Sequence, residues 1–110
     1  MEPLQKVYEA FTANLLPRKE FDLINNRFPL VLEGIARIEK ASGIRFPIAY
    51  VEPSIVLSST SNSFDFGILF ARTIPVFINN MIEIIIQISG PLIAYGLKGT
   101  IHAILAHEFL

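Results

Sequence analysis

The run Met81-Ile82-Glu83-Ile84-Ile85-Ile86-Gln87-Ile88 fits a strand and a helix equally well, and the architecture of the chain turns on which it is. At a period of two, Ile82, Ile84, Ile86 and Ile88 make one face, with Glu83 and Gln87 on the other. At helical period Glu83 and Gln87 are four apart and again share a face. The β-branched run favours a strand, whereas Asn80 read as an N-cap favours a helix. Gly90-Pro91 ends the element in either case.

Upstream of that run the pattern is strand-like. Ile74, Val76 and Ile78 alternate with other residues, and Pro75 among them points to an edge strand, where a missing N–H does not break the ladder. Asn62 to Phe70 alternates as well, with Phe64, Phe66, Ile68 and Phe70 on one side, and reads as a half-buried strand. Ser54 to Ser63 is serine-rich and reads as a loop interrupted by Ile55, Val56 and Leu57. Before it, Phe46, Ile48 and Tyr50 predict a first strand ending at Glu52-Pro53. The amino-terminal part is helical in period. Leu4, Val7, Tyr8, Phe11 and Leu15 mark one amphipathic helix ending near Pro17. Phe21, Ile24, Phe28, Val31, Leu32, Ile35 and Ile38 mark the inner face of a second, over Arg18 to about Ser42, with Pro29 inside it and Gly43 as its C-terminal cap. Downstream, Leu92 to Lys98 leads into a final helix opened by Gly99 or Thr100. The prediction is one α+β domain over residues 1–110, with amino-terminal helices, a small and mostly antiparallel sheet, and a helix at the C-terminus.

Composition narrows the function classes. The 110 residues are 52% hydrophobic and 17% charged, which excludes a disordered chain and leaves enough apolar material for a core. Nine basic against ten acidic residues, with no basic cluster, give no electrostatic footprint for nucleic acid. There is no cysteine, so disulfides, thiolate metal ligands and a cysteine nucleophile are all excluded. Met1-Glu-Pro-Leu-Gln-Lys6 lacks the pattern of a signal peptide, and a cytoplasmic location is expected. Thr73 to Leu97 is long and apolar, but Asn79, Asn80, Glu83, Gln87 and Gly90-Pro91 interrupt it, which argues against a spanning helix and leaves peripheral membrane contact open.

The chemistry sits in Gly99-Thr-Ile-His-Ala-Ile-Leu-Ala-His107-Glu108-Phe109-Leu110. In H-E-x-x-H on a helix, two histidines four apart bind zinc from one face, and the glutamate faces the metal-bound water as general base. His107 to Leu110 supply the first four positions; the second histidine falls at position 111, beyond the sequence. His107 is thus a candidate zinc ligand and Glu108 a candidate general base. Ile101, Ile104, Leu105 and Ala106 are expected to hold this helix against the sheet. His102, five residues before His107, is poorly placed to chelate the same ion and reads as a partner-bonded or surface histidine. On the dipeptide alone, a solvated helix end is the simpler reading; the apolar helix after a run of strands is what favours a metal site.

These residues resemble a known family. Leu97 to Leu110 is similar to the active-site helix of gluzin zinc metallopeptidases, particularly the HtpX and CAAX prenyl protease group and the small minigluzins. Asn62-Ser63-Phe64 resembles that group's Asn-Ala-Phe segment on the strand bordering the cleft, and Pro75-Val-Phe-Ile-Asn79 resembles its next strand. The likeness covers about the last half of the chain. It implies a zincin-like fold, zinc as cofactor, a peptide or protein substrate, His107 as metal ligand, Glu108 as catalytic base, and Asn62 and Ser63 as substrate-binding residues that pair with an added strand. It also favours a helix for Met81 to Ile88. Ser63 departs from the family's alanine, and the second and third ligands are not among these residues, so the chain reads as the amino-terminal part of a catalytic domain cut within its motif. A different class of function stays open beside it: a non-catalytic interaction or homo-oligomerisation domain whose contact is the Ile-rich surface around residues 82 to 97.

Overall fold

The computed structural model describes residues 2–54, 56–57 and 68–109. Among these the chain is α+β, with the order α1 (Gln5–Thr12), α2 (Arg18–Ser42), β1 (Ile48–Glu52), β2 (Val56–Leu57), β3 (Ile68–Leu69), β4 (Ala71–Ile78), β5 (Met81–Ser89), α3 (Gly90–Tyr95) and α4 (Lys98–Phe109). Three strands form a mixed sheet in the order β1-β5-β4, and β2 and β3 form a separate two-stranded antiparallel ladder.

Met81 to Ile88 is a strand, against the helix that the family likeness favours. The reason is the pair before it. Asn79 and Asn80 both take positive φ, at 52° and 63°, the backbone of a two-residue primed hairpin turn, whose twist matches that of the strands it joins. Asn80 therefore closes a hairpin instead of capping a helix, and β5 runs antiparallel to β4 from Ile78↔Met81 to Ala71↔Ile88. On its other side β5 pairs with β1 in parallel, from Ile48↔Ile85 to Glu52↔Ser89. The sheet is mixed, where a mostly antiparallel one was expected. Pro75 does lie on an edge strand, as its missing N–H requires.

Register assigns the faces. Ala49 and Val51 of β1, Ile86 and Ile88 of β5 and Ala71 of β4 share the side that faces the helices, and all are buried. Strand β1 thus turns the opposite way from its predicted alternation: Ile48 is 54% exposed. Phe46, the first residue of that alternation, is buried for a different reason, since it precedes the strand and its N–H donates to Glu39 Oε2 at the end of α2.

Helix α2 is the backbone of the helical layer. Ile24, Phe28, Val31 and Gly34 form its buried stripe, and Gly43 caps it at φ 71° with its N–H on Glu39 O. Leu32 was expected to face inward but is 52% exposed; it lies one helical step from Val31 and so points off the stripe. Pro29 leaves α2 unbroken, with its ring in solvent. Helix α1 leans on β1 through Val51 N–H to Pro3 O and through the ion pair of Lys6 with Glu52 at 2.7 Å. It meets α2 by stacking Phe11 on Phe21, with ring centroids 4.2 Å apart.

The turn from sheet to helix after β5 is built by Ser89, Gly90 and Arg27. Ser89 is fully buried and its Oγ accepts the N–H of Leu92, capping α3. At Gly90 a Cβ would lie 2.8 Å from Ile24 Cδ1 and 3.0 Å from Pro53 O, so only glycine lets α2 and the end of β1 approach this closely. Arg27 of α2 then donates Nε to Ile93 O at 2.7 Å and Nη2 to Gly96 O, satisfying the carbonyls at the far end of α3. Leu92, Ile93 and Ala94 of this short helix are buried. The apolar run of residues 82 to 97 is thereby divided: Ile86, Ile88, Leu92 and Ile93 enter the core, Ile85 is buried on the opposite face of the sheet, and Ile82, Ile84, Tyr95 and Leu97 are exposed. It is not the continuous contact surface that its composition implies. Among the described residues no helix is long and apolar enough to cross a membrane.

Candidate functional site

Helix α4 presents three sides. Ile101 and Leu105 point into the core and are buried. His102 and Ala106 border a groove against α2, where Gly34 makes room for them: a Cβ on Gly34 would sit 2.6 Å from His102 Cδ2 and 3.1 Å from Leu105 Cδ1. The third side, with Ala103, Ile104, His107 and Glu108, faces Phe70 and Ala71 at the start of β4 across a groove of about 480 Å³. The helix therefore lies between α2 and the edge of the sheet, resting on both, whereas the apolar pattern implied the sheet alone.

The entry into α4 is set electrostatically. Lys98 stands at the positive end of the helix dipole, an unfavourable place for a cation, and Glu33 of α2 offsets this with an ion pair at 2.7 Å. The Lys98 hydrogen bond holds the Glu33 carboxyl below its usual range, and the charges of Lys98, His102 and Arg37 act in the same direction against partial desolvation. His102 is fixed by its Nε2, which donates to Leu30 O at 2.9 Å. That is the partner-bonded state expected for it, and it turns the ring toward α2.

His107 and Glu108 come together with the edge of β4 in one groove. His107 is exposed and makes no hydrogen bond among the described residues. Glu108 is half-buried; its Oε1 accepts the backbone N–H of Thr73 at 3.0 Å, and Thr73 Oγ1 donates to Glu108 O at 3.4 Å. Ser89 N–H donates to Phe70 O at 2.7 Å, so Phe70 and, by alternation, Arg72 and Ile74 turn their backbone groups toward β5, and Thr73 turns its own outward. Two positions of that outer edge are closed to a further strand: Thr73, whose donor is taken by Glu108, and Pro75, which has none. Nothing in the side-chain pattern marks Thr73, because it contributes a backbone group; Pro75, which places β4 at an edge, is the one sequence signal that leads to it. Asn62 and Ser63 lie outside the described residues.

An accessible, unengaged imidazole beside a carboxylate is the right kind of chemistry for zinc, but a catalytic zinc takes three protein ligands. Among the described residues no group of three or more His, Cys, Asp or Glu side chains is close enough to hold a metal ion. His107 supplies one donor, and His102 is committed elsewhere. In comparisons with protein families, curated proteins and solved structures, nothing matches this chain.

Proposed function

We propose that this chain carries the amino-terminal part of a zinc-dependent peptidase site of the gluzin type, in a zincin-like domain, with His107 as one metal ligand and Glu108 as the general base. The observation that carries the reading is the opening of His107 and Glu108 into a single groove, at the end of a helix locked between α2 and the sheet edge. Rigid seating of this kind keeps a reactive pair within the narrow geometry that catalysis needs. His107 would hold zinc together with donors from outside the described residues, and the metal would there polarise the attacking water. The Glu108 carboxylate takes the proton of the attacking water and returns it to the amide nitrogen of the departing peptide. To do so it must let go of Thr73 N–H, an exchange open to a half-buried group. Asn62 and Ser63 remain the proposed pairing partners of the substrate chain, and the cytoplasm its proposed location.

The test is metal content and peptide hydrolysis measured on protein that includes whatever follows Leu110. One zinc per chain, lost in His107→Ala, with hydrolysis abolished and zinc retained in Glu108→Ala, is the expected result. Hydrolysis that survives Glu108→Ala, or a zinc-free wild-type protein, overturns the reading.

A further inference from the structure

The helix-facing side of the sheet outruns the helices. On that face Ile86 is fully buried, yet Ile84, one pair further along β5, is 58% exposed, and the cross-strand pair Phe77↔Ile82 beyond it is 78% and 64% exposed. Pro75, opposite Ile84, is exposed beside them. The distal half of the β4–β5 hairpin is therefore an apolar ledge of four side chains on one face. The four side chains carry no charge: Glu83 is the one charged residue from Thr73 to Leu97, and its register partner Val76 places it on the opposite face, in a groove with Lys6 and Glu52.

We propose that Pro75, Phe77, Ile82 and Ile84 form a self-complementary face through which two copies of this chain pack sheet against sheet about a twofold axis. Area supports it. Three of the four leave more than half their surface in water, so the ledge amounts to roughly 400–500 Å², within the range of the largest apolar patch on a monomer, a patch that is often functional. Two opposed ledges approach the ~1,000 Å² that a specific interface requires. Charge supports it too. A surface with no charge of its own gives an acidic or basic partner nothing to select, whereas identical flat apolar faces satisfy one another in an isologous contact. Strand addition along the β4 edge, beside the ledge, is obstructed at Thr73 and Pro75, whereas the face itself is open to a second sheet at the spacing of about 10 Å usual for stacked sheets. This inference is independent of the peptidase reading.

Sedimentation equilibrium of the whole chain over a concentration series tests it, with Ile82→Lys and Ile84→Lys as disrupting variants and Glu83→Lys as the opposite-face control. A reversible dimer is expected. Either lysine variant, which sets an unpaired charge on both sides of the contact, weakens it by on the order of 100-fold or more, with circular dichroism unchanged, and Glu83→Lys leaves it within a few-fold. A wild-type protein monomeric at all concentrations overturns the proposal, as does a dimer indifferent to both lysines. Flotation with neutral phosphatidylcholine vesicles that Ile82→Lys abolishes, in a protein that stays monomeric in solution, assigns the ledge to a lipid surface and overturns it equally.

Discussion

Thr73 on the edge strand gives its backbone N–H to the Glu108 carboxylate, 35 residues later and 3.0 Å away. A side chain on the last helix thus closes part of a sheet edge, a protection natural sheets need against pairing with another chain. Glu108 has this structural duty whatever its chemistry. Replacing it with alanine is expected to cost about 1 kcal/mol in urea unfolding and to speed hydrogen exchange at the Thr73 amide. Glu108→Gln keeps an acceptor, so it is expected to preserve most of that stability while still removing any general base. Two variants with equal losses of stability would mean that the contact does not act through an acceptor.

Gly34 is where α2 and α4 touch. Gly34→Ala puts a methyl group 2.6 Å from the His102 ring, and overpacking of this kind costs roughly 1–3 kcal/mol. Removing the obstruction should reverse the sign of the effect: in a double-mutant cycle, Gly34→Ala is expected to be much less harmful in a His102→Ala background. Additive losses would show that the strain lies somewhere other than this contact.

The Asn79-Asn80 turn is serviceable but not ideal, since both residues hold a backbone that only glycine adopts without penalty. Asn80→Gly is expected to raise stability by a few tenths of a kcal/mol, and Asn80→Val to lower it by about 1 kcal/mol. Thermal unfolding of the pair measures both. A stabilising valine would rule out the primed turn, and with it the strand assignment of residues 81 to 88.

That turn also shows why part of the fold was legible in the sequence and part was not. Helix α2 announces itself by a long apolar stripe and a glycine cap, and β4 by alternation with a proline, because each signal has one physical reading. Residues 81 to 88 satisfy both periodicities, and the deciding information lies in two asparagines whose positive φ has a weaker signature than Asn-Gly. Strand β1 was legible in place but not in facing, since Phe46 is buried under the end of α2 and lies outside the strand. Helix α3 has no signature in the sequence, because six residues opened by Gly-Pro carry too little period. At the site, His107 and Glu108 were visible as side chains, while Thr73 acts through its backbone and Gly34 through having no side chain at all.

Two groups give the protein a pH dependence with opposite signs. The folded-state pKa of Glu33 lies below its ordinary value because Lys98 hydrogen-bonds it. Its contribution is therefore present above the ordinary carboxylate range and is lost as the pH falls through the lowered pKa. Tyr95 donates its hydroxyl to Glu20 Oε1 at 2.8 Å, and this bond raises its pKa above 10.0, assisted by burial and by the Glu20 charge. Its contribution is present below the ordinary phenol value and is lost as the pH climbs through the raised one. In unfolding midpoints measured against pH, Glu33→Gln should flatten the acid limb and Tyr95→Phe the alkaline limb. Both groups are solvent-exposed, so small changes are expected, fading with added salt. An acid limb unaltered by Glu33→Gln would remove the Lys98 pair from the account.

The parallel pairing of β1 with β5 has a kinetic side. Strand β5 gains β4 through a two-residue turn, a closure of microseconds, but it gains β1 only after the chain from Pro53 to Asn80 has been drawn into a loop. The hairpin can therefore exist early while Ile86 and Ile88 still face water, waiting for β1 and α2 to cover them. The pairing of β1 with β5 is the most distant in sequence within this sheet, so its closure carries the larger entropic cost, while the tip of the hairpin, with Phe77 and Ile82, is held by the local turn alone.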